Sequence, residues 1–152
     1  MRFEEFVAAR LPTLARYATV LCSDRAEADD VVQEVLTRAL MRWRRIGELE
    51  EPYAYVRAMV TNEFLSRRRL VPLDRHEPAA PPEPEVLRPE LWARLSTLPR
   101  RQRAVLVLRY YEDLSDEQIA GVLGCRPGTV RTHASRGLAA LRIAITSEGV
   151  VS

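Results

Sequence analysis

Two groups of residues have types and spacings that could do chemistry. Asp29, Asp30, Gln33 and Glu34 share a short helical stretch, where residues three and four apart lie on one face. Carboxylates so placed could hold a metal ion or meet a basic partner. A metal-dependent nuclease or hydrolase would also want a histidine ligand, a glycine-rich phosphate loop or a nucleophile, and none accompanies them. The second group is Arg131, Thr132, Ser135 and Arg136, preceded by Arg126 and Thr129. Arginine can bridge two acceptors on a guanine edge, while hydroxyls and the free N–H groups of a helix start suit phosphate. His133 lies among them with no acid or cysteine partner, so it reads as a polar residue of a DNA-facing surface rather than a ligand or a base. No catalytic group, metal or cofactor is expected.

The elements that must position these groups are helical. Apolar residues recur at helical spacing, and alternating β-branched runs bounded by hairpin turns are missing. An all-α fold follows. The N-terminal half opens with a helix carrying Phe3, Phe6 and Val7, which Pro12 either kinks or restarts with Leu14, Ala18 and Leu21 inward. After a break at Cys22 and Ser23, Asp24 and Glu27 have the spacing of a capping box. Behind them Ala28, Val31, Val32, Val35, Leu36, Ala39, Leu40 and Trp43 form one apolar stripe. The acids of the first group stand on its other side. A third helix starts at Pro52, with Tyr53, Val56, Met59, Val60 and Phe64 inward, and closes on Arg67, Arg68 and Arg69.

From Val71 to Pro89 the stretch VPLDRHEPAAPPEPEVLRP is crowded with proline and glutamate, which neither continue a helix nor build a core. The chain therefore divides into two small helical domains, 1–70 and 90–146, joined by a Pro/Glu-rich linker at 71–89. The second domain holds helices around 90–95 and 99–111, then LSDEQIAGVLGCRPGTVRTHASRGLAALR. There Ala120 supplies the small residue a helix-turn-helix needs at its crossing, Gly124 the left-handed turn, and Ile119, Leu123 and Val130 the lock. Ser115 and Gln118 form a capping box, and Pro127 suits the first turn of the second helix. That helix would enter a major groove with its N-terminal part against base edges. Arg100, Arg101 and Arg103 open the preceding helix, as phosphate or protein contacts or as a plain solvated surface.

All 23 basic residues are arginine against 21 acids, and 47% of the chain is apolar. The basic excess sits at the C-terminal end, the duplex-reading half. Cys22 and Cys125 have no Cys or His company, so neither a metal site nor a disulfide framework is indicated. The start MRFEEFVAARL is acidic and amphipathic rather than a signal peptide, and no apolar run approaches ~20 residues. The expectation is a cytoplasmic protein with no membrane insertion. A stand-alone operator-binding regulator, with the N-terminal half as a dimerisation or sensor domain, stays open on these residues alone.

A resemblance decides between these readings. DRAEADDVVQEVLTRALMRW resembles region 2.2 of the sigma-70 superfamily, and LSTLPRRQRAVLVLRYYEDLSDEQIAGVLGCRPGTVRTHASRGLAAL resembles region 4. With a short linker and no other regions, the chain is similar to extracytoplasmic-function (ECF) RNA polymerase sigma factors of the sigma-E-like actinobacterial subgroup. The resemblance implies promoter recognition in transcription initiation, with the polymerase core (β′ clamp helices and β flap) and promoter DNA as partners, and it admits an anti-sigma factor. It implies that Asp29, Asp30, Gln33 and Glu34 dock on the clamp helices. It assigns the loop from Arg45 to Pro52, with Arg57, Asn62, Arg67 and Arg68, to the melted -10 element. Arg126, Thr129, Arg131, Thr132, His133, Ser135 and Arg136 fall to the -35 element. The sequence departs from the family pattern at Ser66, Arg126 and Ser135, so the -35 sequence itself is not carried over. Elements ~16 base pairs apart lie roughly 55 Å from each other at ~3.4 Å per pair. A slack linker of about 19 residues averages only ~25 Å, so weak DNA binding is expected of the isolated chain.

Overall fold

The computed structural model describes residues 1–67 and 93–147, with side chains as far as Arg142. Among the described residues every regular element is helical. The chain forms two compact units, Met1–Ala79 and Ala80–Ser152. Arg68, Arg69 and the expected linker at 71–89 lie outside the described residues.

In the first unit α1 (Phe3–Cys22), α2 (Arg25–Met41), the single turn α3 (Trp43–Ile46) and α4 (Pro52–Ser66) pack around one core. Helix α1 runs unbroken through Pro12. Pro12 and Ala8, one turn before it, both face solvent, where a carbonyl deprived of its helical donor can bond water. Ser23 then takes a left-handed conformation (φ 55°) and its N–H returns to the Thr19 carbonyl at 2.9 Å, which closes α1. Asp24 caps α2 by accepting from the N–H groups of Ala26 (2.9 Å) and Glu27 (3.3 Å).

The expected stripe of α2 is buried at Ala28, Val31, Val32, Val35 and Ala39, and it continues to Trp43 in α3. It fails at Leu40, which is 55% exposed. The row Val32, Leu36, Leu40 advances by about 40° at each four-residue step, so it passes from buried through half-buried to exposed. Met41 beside it is 82% exposed. Helix α4 buries Val56, Val60 and Phe64 as expected, while Tyr53 and Met59 stay half-buried. Tyr17 of α1 and Thr61 of α4 share a buried hydroxyl hydrogen bond of 2.6 Å. Near the other end of α1, the Trp43 ring is packed edge-on to Phe3 (5.4 Å) and tilted against Phe6 (4.9 Å), and its Nε1 donates to the Met1 carbonyl at 2.8 Å.

In the second unit a helical turn at 93–95 leads to α5 (Arg100–Leu106), a π-helical segment (Val107–Tyr111), α6 (Asp116–Leu123) and α7 (Pro127–Ser147). The helix expected over 99–111 thus changes pitch halfway, and the Glu112 N–H reaches five residues back to the Val107 carbonyl at 3.1 Å. Arg103 departs from the sequence reading. It is 8% exposed and donates from Nη2 to the carbonyls of Ser96 and Leu98, both at 3.2 Å. Those carbonyls lie beyond the reach of helical donors, so the guanidinium ties down the entry to α5 rather than meeting a phosphate. Leu108, Ile119, Val130 and Ala134 form the core. Gly137 lets α7 approach α5 closely, since a Cβ there would stand 2.9 Å from Leu106 Cδ1.

Candidate nucleic-acid interface

The pair α6 and α7 is built as the residues require. Ser115 Oγ accepts from the Gln118 N–H at 3.1 Å, and Gln118 Oε1 accepts from the Ser115 N–H at 2.9 Å, a complete capping box. Gly124 sits at φ +69° with its N–H bonded to the Ala120 carbonyl at 2.8 Å. No β-branched residue would accept that backbone. Pro127 opens α7, and the Arg126 carbonyl accepts from Thr129 (3.0 Å) and Val130 (3.2 Å).

With Val130, Ala134 and Leu141 turned into the core, α7 presents Thr129, Arg131, Thr132, Ser135 and Arg136 to solvent, and Arg126 is exposed just before them. This is one continuous row on the side of α7 opposite its packing. The Thr132 hydroxyl donates to its own helix at the Gly128 carbonyl (3.1 Å), which leaves its oxygen as an acceptor. His133 stands apart from the row: it is half-buried, and its Nδ1 is enclosed without a hydrogen-bond partner. Burial, then the charges of Arg101 and Arg136, hold its pKa below the ordinary value. Arg131 is tethered from below. Asp116, the first residue of α6, lies with Oδ2 3.8 Å from Arg131 Nη1, while its Oδ1 is bonded by Arg109 of the π segment. Neither acid nor arginine of that triplet other than Arg131 stood out in the sequence, because its members are spread over three elements.

In the first unit Asp29, Asp30, Gln33 and Glu34 share the outer side of α2; Asp29 and Gln33 are exposed, Asp30 and Glu34 half-exposed. Glu34 is not idle. Arg38 pairs with it at 3.0 Å and with Glu63 of α4 at 2.9 Å, and Glu63 also takes Arg67 at 2.8 Å. Arg67 is therefore committed in part to closing α4. A cavity of about 650 Å³ opens where α2, α3 and the following loop meet α4, lined by Met41, Arg42, Arg44, Arg45, Ile46, Glu48, Leu49 and Tyr55. Of the described residues assigned to a melted strand, Arg45 lines it. Asn62 is exposed further along α4 and donates to the Ala58 carbonyl at 3.0 Å. Arg57 lies with Arg10 about the Tyr53 ring, the guanidinium carbons 5.6 Å and 3.9 Å from its centre. Arg68 lies outside the described residues. The exposed Met41, Leu49 and Tyr55 are what the sequence reading missed. Their signal was three large apolar side chains off the stripe, clustered around arginines.

The floor of this cavity is fixed by Gly47, whose missing Cβ would fall 2.8 Å from Trp43 Nε1, 2.9 Å from the Met1 carbonyl and 3.0 Å from the Trp43 carbonyl. Among the described residues no His/Cys/Asp/Glu group could hold a metal ion, and no helix is long and apolar enough to cross a membrane.

A helix-turn-helix unit and a separate helical unit with an acid-faced helix and a basic, partly aromatic cavity define a factor for promoter recognition in transcription initiation. The family model "Sigma-70 region 2" matches residues 6–70 and "Sigma-70, region 4" matches residues 88–141. The chain belongs to the sigma-70 family, in its extracytoplasmic-function branch. It is 35% identical to the RNA polymerase sigma-E factor of Streptomyces coelicolor, over 93% of this chain and 85% of that protein. It is 33% identical to the ECF RNA polymerase sigma factor SigL of Mycobacterium tuberculosis, over 90% and 85% respectively. Its fold is similar to that of the sigma factor RpoE solved with the anti-sigma factor NepR from Bartonella quintana (TM-score 0.73, 23% identity, 95% of this chain and 96% of that one).

Proposed function

We propose that the chain is a non-catalytic, cytoplasmic sigma factor whose three surfaces divide promoter recognition among them, over domains at 1–70 and 90–146 and a linker at 71–89. The acid face of α2, with Asp29, Asp30, Gln33 and Glu34, meets the basic clamp helices of polymerase β′. Its opposite face is consumed by the core, so the charge is available to a partner and steers encounter. The cavity beside α3 receives a base extruded from the melted -10 strand. Exposed Tyr55 and the apolar rim offer a stacking surface, and Arg42, Arg44 and Arg45 offer charge to the backbone. Asn62, Arg57, Arg67 and Arg68 extend that strand contact along α4. The exposed row of α7 reads the -35 duplex, with Arg131 and Arg136 at base edges and Thr129 and Arg126 at phosphates. The β flap is the partner of the second unit, and an anti-sigma factor competes for these surfaces.

The cavity carries this reading. A duplex-operator regulator has no use for a concave site that combines an exposed tyrosine, exposed methionine and three arginines next to an acid-faced helix. Run-off transcription with core polymerase and a promoter library tests it, comparing wild type with Asp30→Ala, Tyr55→Ala and Arg131→Ala. Initiation above core enzyme alone, reduced by Asp30→Ala and Tyr55→Ala and re-targeted by Arg131→Ala, is expected. Wild type that directs no initiation, or that footprints a palindrome without polymerase, refutes it.

A further inference from the structure

Arg131 is the most forward of the arginines on α7, and an unrestrained arginine there would be a poor reader. Its guanidinium is 61% exposed on a long flexible stem, within reach of phosphates as well as base edges. Phosphate contacts strengthen binding without selecting sequence, whereas a guanine edge demands the fork in one plane. Something must make the base-facing arrangement preferred.

The carboxylate of Asp116 is placed to do this. It stands at the start of α6, the helix that crosses the DNA backbone in a docked helix-turn-helix, and it is itself only 22% exposed. Its two oxygens are divided: Oδ1 is held by Arg109 from the π segment, and Oδ2 faces Arg131 Nη1 at 3.8 Å. Arg109 therefore fixes the acid from the rear, and the acid restrains Arg131 from one side. A fixed negative charge beside Arg131 also repels any phosphate that approaches the same place, so it penalises the sequence-blind arrangement and leaves the edge-reading one.

We propose that Asp116 is a positioning and specificity-determining residue for the -35 element, acting through Arg131 and braced by Arg109. The inference rests on the reading of Arg131 as a base contact. Its signature is a trade: the acid lowers affinity for DNA in general and raises discrimination at one base pair. A residue that merely stabilised the fold would raise both together.

The test uses the full chain. Discrimination is read by run-off transcription with core polymerase on a library randomised over the -35 element, and general affinity by fluorescence anisotropy with random duplex at low salt. Asp116→Asn keeps the size and the Oδ1 acceptor for Arg109 but removes the charge. It should raise random-duplex affinity about twofold and reduce preference at a single -35 position about fivefold, the same position that Arg131→Ala flattens. Asp116→Glu, which keeps the charge, should retain most of that preference. If Arg131→Ala flattens one position and Asp116→Asn leaves it intact, the inference falls while the reading of Arg131 stands. If Asp116→Asn lowers affinity and flattens every position alike, its role is structural and the inference falls again. If Arg131→Ala changes no position, both are overturned.

Discussion

Replacing Gly47 by alanine probes the floor of the strand-binding cavity with the smallest possible change. The added methyl would lie 2.8 Å from the Trp43 indole nitrogen and 2.9 and 3.0 Å from the carbonyls of Met1 and Trp43, against ordinary contact of about 3.5 Å. The Met1 carbonyl, at the chain terminus, gives way most cheaply, and its hydrogen bond from Trp43 is lost, worth about 1 kcal/mol. The indole cannot retreat as easily, because Phe3 and Phe6 pack against it. Accommodating the remaining overlap costs about 1–2 kcal/mol. The sum is about 2–3 kcal/mol, or a fall of roughly 10–20 °C in the Tm of a unit this size. Thermal unfolding followed by Trp43 fluorescence in a Trp92→Phe background would measure it. Trp43→Phe removes the indole nitrogen and opens the space, so in that background Gly47→Ala should cost under about 1 kcal/mol. A fall of less than about 4 °C for the single variant, or strict additivity in the pair, would refute the account of the cavity floor.

Gly124→Ala adds a methyl with nothing within 4 Å, so its cost is the left-handed backbone alone, about 1 kcal/mol in urea unfolding, and Gly124→Asn should cost less. Arg103→Met, which keeps the apolar stem but strands the Ser96 and Leu98 carbonyls, should destabilise the second unit by about 2 kcal/mol in the same measurement. His133 has a pKa held below the ordinary value by burial and by Arg101 and Arg136, so the unfolded chain takes up its proton first. Stability of the second unit should be flat above about pH 6.5 and fall as pH drops below it, and His133→Gln should lessen that fall in urea midpoints at pH 7.5 and 5.5.

Much of the fold could be read from local rules because it obeys them locally. The caps at Asp24 and Ser115, the glycine turn at Gly124, Pro127 at the start of α7 and the outward row from Arg131 to Arg136 each depend on residues within a turn of one another. What escaped depends on distance in the chain. The π pitch of 107–111 and the burial of Arg103 follow from how α5 must meet 93–98, and no periodicity encodes that. Leu40 was misplaced because a helical stripe drifts, and a continuous apolar reading ignores the drift. The acid face of α2 was legible as a pattern, but the chain Glu34, Arg38, Glu63, Arg67 that crosses to α4 required coordinates. For the same reason the cavity was foreseen at Arg45 and not at Met41, Leu49 or Tyr55.

The π segment has a consequence for which changes this domain can absorb. A π turn spends one more residue per hydrogen-bonded loop than an α turn, so Val107–Tyr111 is in effect a single-residue insertion carried inside an otherwise unbroken helix. Removing one residue there would restore the α ladder and swing the flanking segments by about 100° relative to each other, which takes Arg109 off Asp116. Substitutions along the segment leave the spacing alone; a change of length does not. Between Leu106 and Ser115 it is the number of residues, as much as their identity, that keeps the reading helix in phase with what lies beneath it.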